Sequence, residues 1–393
     1  MKKTLLLLLL TLLTATSTTA RDFTYTYEGQ TLTYTVIDED AKTCETKGNS
    51  NTNGTVHSIS GSLTIPSSAN GYTVTAIGKN SFRQCRNLTE LTIPTSVSTI
   101  KEDAFYMCSG LTSVTLPVTT IERLAFCCSG LTSVTFTESL RSIEESAFTS
   151  CDRLTSVYIP KSCTSVGIGA FAGCLNLFSI EVDPENENYA SSDGVLFNKD
   201  YTTLIQCPVG KGGHYIIPES VKRIEIEAFW RCMYLTSISI PESVTTIDYS
   251  SFVCCDGLTS ISIPESMKQI NSYAFDLCYN LTEVQCFMQE PCTADENIFD
   301  SRTYEKATLY VPTGTVSLYK ATTPWNKFLN ITDEPLLSGI EDIVADGVDA
   351  IDYTKPYEVY NLQGALLGQS TDGLAAGIYI LRQGEKSTKI AIR

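Results

Sequence analysis

Apolar and polar residues alternate in a short motif that recurs along most of the chain. A leucine begins the motif, the pattern x-x-Val/Ile-x-Ile/Leu follows, and proline commonly closes it, as in Leu235-Thr-Ser-Ile-Ser-Ile-Pro241. This alternation predicts a short β-strand with one buried face. Proline ends the strand because it has no N–H to donate to a ladder. Serine and threonine fill the alternate positions, which we expect to face solvent.

Each predicted strand follows a phenylalanine and a cysteine at nearly constant spacing. The phenylalanine, usually after alanine, stands three residues before the cysteine of a Cys-x-x-Leu motif, or two residues before it in one shortened unit. Successive cysteines are 23, 20, 23, 23, 58, 23 and 23 residues apart. The phenylalanines are Phe82, Phe105, Phe126, Phe148, Phe171, Phe229, Phe252 and Phe275. The cysteines are Cys85, Cys108, Cys128, Cys151, Cys174, Cys232, Cys255 and Cys278.

Units of this length are too small to bury their own leucine, isoleucine and phenylalanine side chains. Neighbouring coils must therefore stack and share one core, with equivalent strands paired in parallel. An isoleucine such as Ile121 is expected in a turn before each Ala-Phe pair. We predict a leucine-rich-repeat solenoid, a right-handed array of short parallel strands. Irregular or 3-10 return segments would join these strands, and a small C-terminal β domain would follow.

The repeat also resembles a known family. The pattern Ile-Pro-x-x-Val-x-x-Ile-x-x-x-Ala-Phe-x-x-Cys-x-x-Leu is similar to the BspA-like leucine-rich repeats of bacterial surface proteins, and it runs from about Leu63 to Pro335. The resemblance implies a surface-exposed, adhesion-type protein rather than an enzyme. With its C-terminal cap, the solenoid is predicted to span residues 63–335, after an N-terminal β cap and loop at residues 21–62.

One interval interrupts the repeat. Between Cys174 and Cys232 the spacing rises to 58 residues, and the segment at about 183–215 contains two β patterns around Asn198-Lys199-Asp200. These patterns predict a β-hairpin insert. We interpret the insert as a structural elaboration of one coil, and the alternative is a projection that contacts a ligand.

The two ends of the chain carry different signals. Met1–Ala20 has two lysines, an apolar run and a small-residue end, which predicts a signal peptide. Residues 336–393 are predicted to form a small β-rich module. Its final part, 357–393, resembles the C-terminal sorting or anchoring modules of exported proteins in Gram-negative anaerobes. A β-sandwich that only packs on the array is the alternative. We therefore expect an exported protein, secreted or associated with the cell surface or outer membrane.

The net charge of the chain and its potential metal-binding and catalytic residues disfavour several classes of function. The formal charge of −16 disfavours nucleic acid and anionic membranes as partners, and no later apolar run is long enough to span a bilayer. No Cys-x-x-Cys occurs, and the two histidines, His57 and His214, are expected in surface loops. We predict neither a cofactor, a metal site nor a catalytic group. The acidic loop from Asp183 to Asn188 departs from the EF-hand pattern and offers at most an irregular calcium site.

The fifteen cysteines raise the question of disulfides. Stacked coils place equivalent cysteines about 4.8 Å apart with parallel side chains, a poor geometry for a disulfide, so the repeated cysteines are predicted to be buried thiols. The state of Cys44, Cys286 and Cys292 stays open, and Cys286 and Cys292 could bridge within the last loop.

The strand residues that face solvent form the predicted binding surface. Most are small hydroxyl residues, and the exceptions lie just before the insert. We predict that a protein or glycan of host or microbial surfaces or matrix binds a monomer there. A passive coat or spacer and, less favoured, a secreted enzyme with its site in the insert or C-terminal module are the alternatives. Tyr158 and Phe178 could instead pack under the insert. The candidate residues are Tyr158, Phe178, Glu181, Thr135 and Ser156.

Overall fold

The structure is a computed structural model that describes residues 21–48, 59–333, 357–360, 366–369, 377–383 and 386–392. The chain divides into two compact units, Met1–Asp333 and Glu334–Arg393. The predicted signal peptide, residues 1–20, lies outside the described residues.

The regular secondary structure in the described part of the first unit consists almost entirely of short strands, joined by turns and irregular segments. Its helices are α1 (Ser301–Lys306) and α2 (Val316–Ala321), and Trp325–Lys327 forms a 3-10 turn. The strands are β1 (Asp22–Tyr27), β2 (Gln30–Asp38), β3 (Thr43–Thr46), β4 (Ser60–Thr64), β5 (Ser68–Ala69), β6 (Tyr72–Ile77), β7 (Asn87–Thr92), β8 (Thr99–Ile100), β9 (Ser113–Leu116), β10 (Thr120–Ile121), β11 (Ser133–Phe136), β12 (Ser142–Ile143), β13 (Ser156–Ile159), β14 (Ser165–Val166), β15 (Ser179–Val182), β16 (Tyr189–Ser192), β17 (Val195–Asn198), β18 (Thr203–Gln206), β19 (Gly213–Ile216), β20 (Arg223–Ile224), β21 (Leu235–Ser239), β22 (Thr246–Ile247), β23 (Ser260–Ile263), β24 (Gln269–Ile270), β25 (Glu283–Cys286), β26 (Thr293–Ala294), β27 (Thr308–Tyr310) and β28 (Asn330–Thr332).

The strands that follow each Cys-x-x-Leu motif pair in parallel, which confirms the predicted solenoid. Val114 of β9 lies opposite Val134 of β11, and Ile261 of β23 lies opposite Val284 of β25. We call this set the front strands. Their hydrogen-bonded groups are β4–β7, β9–β11, β13–β15, β19–β21 and β23–β25–β27–β28.

A second set of strands occupies the positions where turns were expected. Ile121 of β10 pairs with Ile143 of β12, and both side chains are fully buried. The same parallel pairing continues along these rear strands, which are β6, β8, β10, β12 and β14, and then β18, β20, β22, β24 and β26. Each coil thus adds one strand to each of two ladders, because stacking brings two segments of every coil into register.

The Ala-Phe part of each return segment is irregular, as predicted, but it is not 3-10 helical. Ala104 donates its N–H within its own coil, whereas Phe105 donates to the carbonyl of Ala125 in the next coil at 2.7 Å. Asp103 and Met107 have φ values of 58° and 57°. Such left-handed residues cannot continue a right-handed helix. The segment therefore alternates between tight turns and hydrogen bonds to the adjacent coil.

The repeated phenylalanines form stacks inside the array. Phe82, Phe105, Phe126, Phe148 and Phe171 follow one another with ring centroids 5.1–5.5 Å apart, in nearly parallel planes. A second stack joins Phe229, Phe252, Phe275 and Phe299, with centroids 4.7–5.2 Å apart. All of these rings are buried. Between the stacks, Cys207 takes the phenylalanine position, since its N–H donates to the carbonyl of Ala228 as Phe105 donates to Ala125.

The repeated cysteines are buried thiols in seven of the eight units, as predicted. None of the fifteen cysteines forms a disulfide. The Sγ of Cys108 donates to the carbonyl of Phe82 at 3.0 Å, and Cys278 makes the same contact with Phe252 at 3.0 Å. Burial raises the pKa of the Cys85 thiol to about 11. Buried thiols that contact backbone carbonyls act as small apolar groups rather than as accessible nucleophiles.

The assignment of Cys128 to this row is wrong. In the shortened unit Ser129 is the residue three positions after Phe126, and Ser129 is buried whereas Cys128 is only half-buried. The Ser129 hydroxyl lies 3.2 Å from the Cys151 thiol of the next coil. The core position therefore lies three residues after phenylalanine in this unit, as in the other units. The unit is shorter by one residue between Ser129 and Leu131. Alignment on Cys-x-x-Leu cannot reveal this shift.

The insert is built into the array. β16, β17 and β18 form an antiparallel meander, and β18 then pairs in parallel with the rear strand β20. Along β17, Leu196 packs with the core of the preceding coils, whereas Val195 and Phe197 pack with the core of the following coils. β19 pairs with β21 and adds a front strand. These contacts favour a structural elaboration of the coil.

Both ends of the array are covered. At the start, β1, β2 and β3 pair antiparallel, β3 continues in parallel with β6, and Tyr34 is fully buried against Phe23 with centroids 5.5 Å apart. At the end, Trp325 and Tyr319 are fully buried, and the Tyr319 hydroxyl donates to the carbonyl of Met288 at 2.8 Å. These segments shield the terminal coils from water.

The second unit contains the predicted small β domain. Its described strands are β29 (Glu358–Tyr360), β30 (Leu366–Gly368), β31 (Gly377–Gln383) and β32 (Lys386–Ile392), paired antiparallel in the order β30-β29-β31-β32. Val359 and Leu381 are buried. Across the described parts of both units, no helix has the length and apolar character needed to cross a membrane.

The phenylalanine stacks generate a stability prediction. Phe105→Ala or Phe252→Ala should lower the free energy of unfolding by about 3–5 kcal/mol, because each change removes a fully buried ring and leaves a cavity between coils. Urea denaturation followed by circular dichroism measures the loss. Thr115→Ala, on an exposed position of β9, is the matched control and should change little. Parent-like unfolding of the phenylalanine variants would show that the register is wrong.

The buried thiols generate a second prediction. In the native protein a disulfide reagent such as Ellman's should react slowly with most cysteines, because twelve of the fifteen thiols are buried. After denaturation without reductant, most of the fifteen cysteines should titrate as free thiols. If fewer than half titrate, the thiol core is refuted.

Candidate binding surface

The outward side chains of the front strands form a surface made mostly of small hydroxyl residues. Along each strand the buried and exposed positions alternate, as in Ser113-Val114-Thr115-Leu116. β19 adds His214 and Ile216 to this surface, and both are exposed. The sequence analysis missed them because β19 lacks the Cys-x-x-Leu motif, although its Gly-His-Tyr-Ile pattern alternates.

A shallow groove of about 530 Å³ crosses the first part of this surface. Thr135 lies in the groove, with Thr92 and Thr115 of neighbouring front strands and Glu90 at one side. Hydroxyl residues line it together with Leu91, Ile93, Val114 and Pro117, and no aromatic side chain does, so it offers hydrogen bonds and a modest aliphatic surface. The structure therefore places Thr135 in this groove. Its strand, β11, is not hydrogen-bonded to β13, the strand that carries Tyr158.

Tyr158 is an exposed aromatic residue on β13. Its side chain is 50% exposed, and its hydroxyl donates to Asp183 Oδ2 at 2.9 Å. This hydrogen bond raises the pKa of the Tyr158 phenol. The backbone N–H of Glu185 and then the Tyr158 hydroxyl lower the pKa of Asp183, so the carboxylate is ionised at neutral pH. The contact fixes the direction of an exposed ring beside a negative charge.

Glu181 lies next to Tyr158 on the paired strand. Tyr158 of β13 and Glu181 of β15 are register partners, as are Ser156 and Ser179. The Glu181 carboxylate accepts hydrogen bonds from the hydroxyls of Ser179 and Ser191, the latter at 3.2 Å. Three of the predicted residues, Ser156, Tyr158 and Glu181, are therefore neighbours on one patch.

Phe178 is exposed and stands at the edge of the same patch. The side chain is 59% exposed, and a methyl group placed on Gly210 would come within 2.9 Å of its ring. Gly210 thus leaves room for one face of the ring, and the other parts remain in water. The insert contacts Phe178 without burying it, and Tyr158 is also exposed, so the idea that both residues are covered by the insert is wrong.

The acidic loop after β15 is held by internal contacts. Asn186 is fully buried, and its amide donates to the carbonyls of Pro160 and Cys163 at 2.9 Å each. Its oxygen accepts the N–H groups of residues 188 and 189. The Lys199 ammonium contacts the carbonyls of Asn186 and Pro184. A lysine therefore occupies oxygens that a calcium ion would need, and the described residues contain no cluster of three metal-ligating side chains.

His214 lies on a front strand, so its expected position in a loop is wrong. Its Nδ1 is 2.7 Å from the Ser237 hydroxyl, and its Nε2 is 3.2 Å from the Ser239 hydroxyl. A catalytic histidine normally uses one nitrogen toward the nucleophile and the other toward an orienting carboxylate. Here serines engage both nitrogens, and the arrangement is that of a hydrogen-bonded surface histidine. His57 lies outside the described residues.

The repeat also matches a known protein family. A family model described as BspA type leucine rich repeat region matches residues 62–192 and 213–319, with six copies of the repeat. These segments make up more than half of the chain. The chain belongs to the BspA-type leucine-rich-repeat family. The unmatched residues 193–212 contain β17 and β18, the hairpin of the insert.

The chain is similar to solved structures of other bacterial proteins. The pneumococcal vaccine antigen PcpA is 20% identical, with a TM-score of 0.52 over 78% of this chain and 97% of PcpA. A leucine rich cell surface protein from Faecalibacterium prausnitzii is 23% identical, with a TM-score of 0.44 over 80% and 99% of the two chains. The likeness to PcpA supports the fold alone. No curated protein sequence matches the chain significantly.

Proposed function

We propose that this protein is a bacterial binding protein, displayed on the cell surface or secreted, that adheres to host or microbial macromolecules through its front strands. The observation that carries the proposal is the exposed aromatic patch around Tyr158 and Phe178, on a surface made mostly of small hydroxyl residues. Exposed aromatic side chains contribute disproportionately to binding energy at protein interfaces. Membership of a leucine-rich-repeat family and the name of the Faecalibacterium protein as a cell surface protein support the same role.

The proposal includes that the protein is not an enzyme. The repeated thiols are buried and hydrogen-bonded to backbone carbonyls, and the two nitrogens of His214 are engaged by serines. Nucleophilic catalysis needs an accessible thiolate, or a histidine oriented toward a nucleophile. The insert, a candidate site for catalysis, supplies core residues to both halves of the array.

We further propose that the chain is exported through its first 20 residues and sorted or anchored by residues 336–393. The leader has the order of charged, apolar and small residues that secretion requires. The C-terminal unit is compact by itself, as an independent sorting module must be.

The binding role predicts a local effect of Tyr158. The immobilised full-length protein is used to capture ligands from host matrix and mucosal extracts, and the affinity of a captured ligand is then measured by surface plasmon resonance. Tyr158→Ala should weaken binding at least about tenfold, which corresponds to about 1.4 kcal/mol. Ser262→Ala, on a distant front strand, is the matched control and should do little. Equal effects would place binding elsewhere, and absence of any ligand would favour a passive coat or spacer.

The sorting role predicts a change of location without a change of fold. Deletion of residues 336–393 should leave the array folded, since each coil is stabilised by its nearest neighbours. The truncated protein should lose its normal place at the cell surface. Circular dichroism checks the fold, and immunoblots of surface, periplasmic and medium fractions check the location. A folded truncated protein that reaches the surface in normal amount would refute the sorting role.

A further inference from the structure

The front strands contain no positively charged residue. From β4 to β28, none of the described front strands carries lysine or arginine, whereas Glu90, Glu181 and Glu283 all lie on them. The chain has 28 lysines and arginines, so this segregation is not a shortage of cations. The front strands themselves therefore carry acidic side chains but neither lysine nor arginine.

The cations accompany the rear strands instead, where they are paired with acids. Lys101 follows β8 and lies 2.5 Å from Glu45, and Arg223 of β20 lies 2.5 Å from Asp248. Glu102 contacts both Lys79 and Arg123. These ion pairs neutralise part of the charge near the rear strands.

Tyr158 has acidic neighbours, and Asp183 accepts the hydrogen bond of its hydroxyl. Glu138, Asp183 and Glu185 act on the Tyr158 phenol through their charges, and Glu181 is its register partner on β15. Lys161 is the one cation that forms an ion pair with this group in the described structure, contacting Glu185 at 3.3 Å. Glu181 and Asp183 are oriented by hydroxyl and backbone donors, and neither carboxylate forms an ion pair in the described structure, although the charge of Lys161 contributes to the lowered pKa of Asp183.

An exposed aromatic ring with adjacent carboxylates has the chemistry of a receptor for cations. A lysine or arginine side chain over the ring gains a cation–π contact, and its charged head can reach a neighbouring carboxylate. The flat hydroxyl surface on either side offers hydrogen bonds to an extended backbone. Polyanions are repelled from the same face.

We infer that the patch formed by Tyr158, Phe178, Glu181 and Asp183 binds an extended lysine- or arginine-rich segment of a partner protein. This inference rests on the proposed binding function and names the chemistry of the partner. Tyr158 supplies the aromatic surface, Glu181 and Asp183 supply the charge, and Phe178 packs against apolar parts of the segment.

A defined peptide tests this inference with the full-length protein. A fluorescent peptide that alternates lysine with serine is titrated and followed by anisotropy, and a peptide with glutamate in place of lysine is the comparison. At low salt the lysine peptide should bind and the glutamate peptide should not. Binding should weaken as ionic strength rises to about 150 mM, because exposed charges are screened.

Two double variants with the same change of net charge separate a local site from a general charge effect. Glu181→Gln with Asp183→Asn should weaken binding of the lysine peptide about three- to tenfold. Glu219→Gln with Glu305→Gln, exposed acids away from the patch, should leave it unchanged. Tyr158→Ala should weaken it to a similar degree as the first pair. Equal effects of the two pairs, binding of the glutamate peptide, or no binding of the lysine peptide at low salt would each overturn the inference.

Competition separates this inference from the proposed function. A partner that is captured through Tyr158 and displaced by the lysine peptide supports both. A partner captured through Tyr158 but not displaced, including a neutral glycan, overturns the basic segment and leaves the proposed function intact. Failure to capture any Tyr158-dependent partner counts against the proposed function itself.

Discussion

The structure depends on the contact between each coil and the next. No coil closes its own core, because the phenylalanine of one coil packs face to face with that of its neighbour, as in Phe105 and Phe126 at 5.1 Å. The same contact satisfies the backbone, since N–H groups of the irregular Ala-Phe segments donate to carbonyls of the adjacent coil. Burial of the rings outweighs the strain of the recurrent left-handed residues on either side. Stacking therefore supplies both the apolar core and the hydrogen bonds that an isolated turn would lack.

The insert interrupts the stacking of phenylalanines from coil to coil, and other side chains fill the core there. Cys207 takes the place of a phenylalanine, and the two aromatic stacks end on either side of it. β17 compensates by presenting Leu196 to one half of the core and Phe197 to the other. The irregular surface residues Tyr158 and Phe178 lie beside this same interruption. A regular coil repeats small hydroxyls outward, whereas the loop and hairpin here bring in Asp183 and Gly210, which orient or accommodate the larger side chains.

Much of the fold could be predicted from the sequence, because the alternation of apolar and polar residues in each repeat shows which side chains face the core and which face solvent. Strand alternation identified Val114 as core and Thr115 as surface without knowledge of the neighbouring coil. The prediction failed where spacing alone was used. Cys128 matched the motif, but the core position is counted from phenylalanine, which selects Ser129. The rear strands were missed because two-residue strands exist only through pairing with other coils. The role of Asn186 in holding the loop could not be predicted from the sequence either, because it depends on hydrogen-bond partners that only the structure shows.

The candidate site was predictable in part for a physical reason. Tyr158 and Glu181 lie at outward positions of regular strands, where most other repeats have small hydroxyl residues, so the sequence identified them as exceptions. Asp183 belongs to the loop, and only the folded chain brings its carboxylate to the Tyr158 hydroxyl. Contacts that form only in the folded chain also explain the different charges near the front strands and the rear strands. Acids and bases that alternate near the rear strands meet across coils and neutralise one another, whereas front strands with acids and no bases cannot do so. A partner that approaches the front strands therefore meets acidic side chains without lysine or arginine on the same strands, and such a field would speed the encounter of a basic segment with the patch.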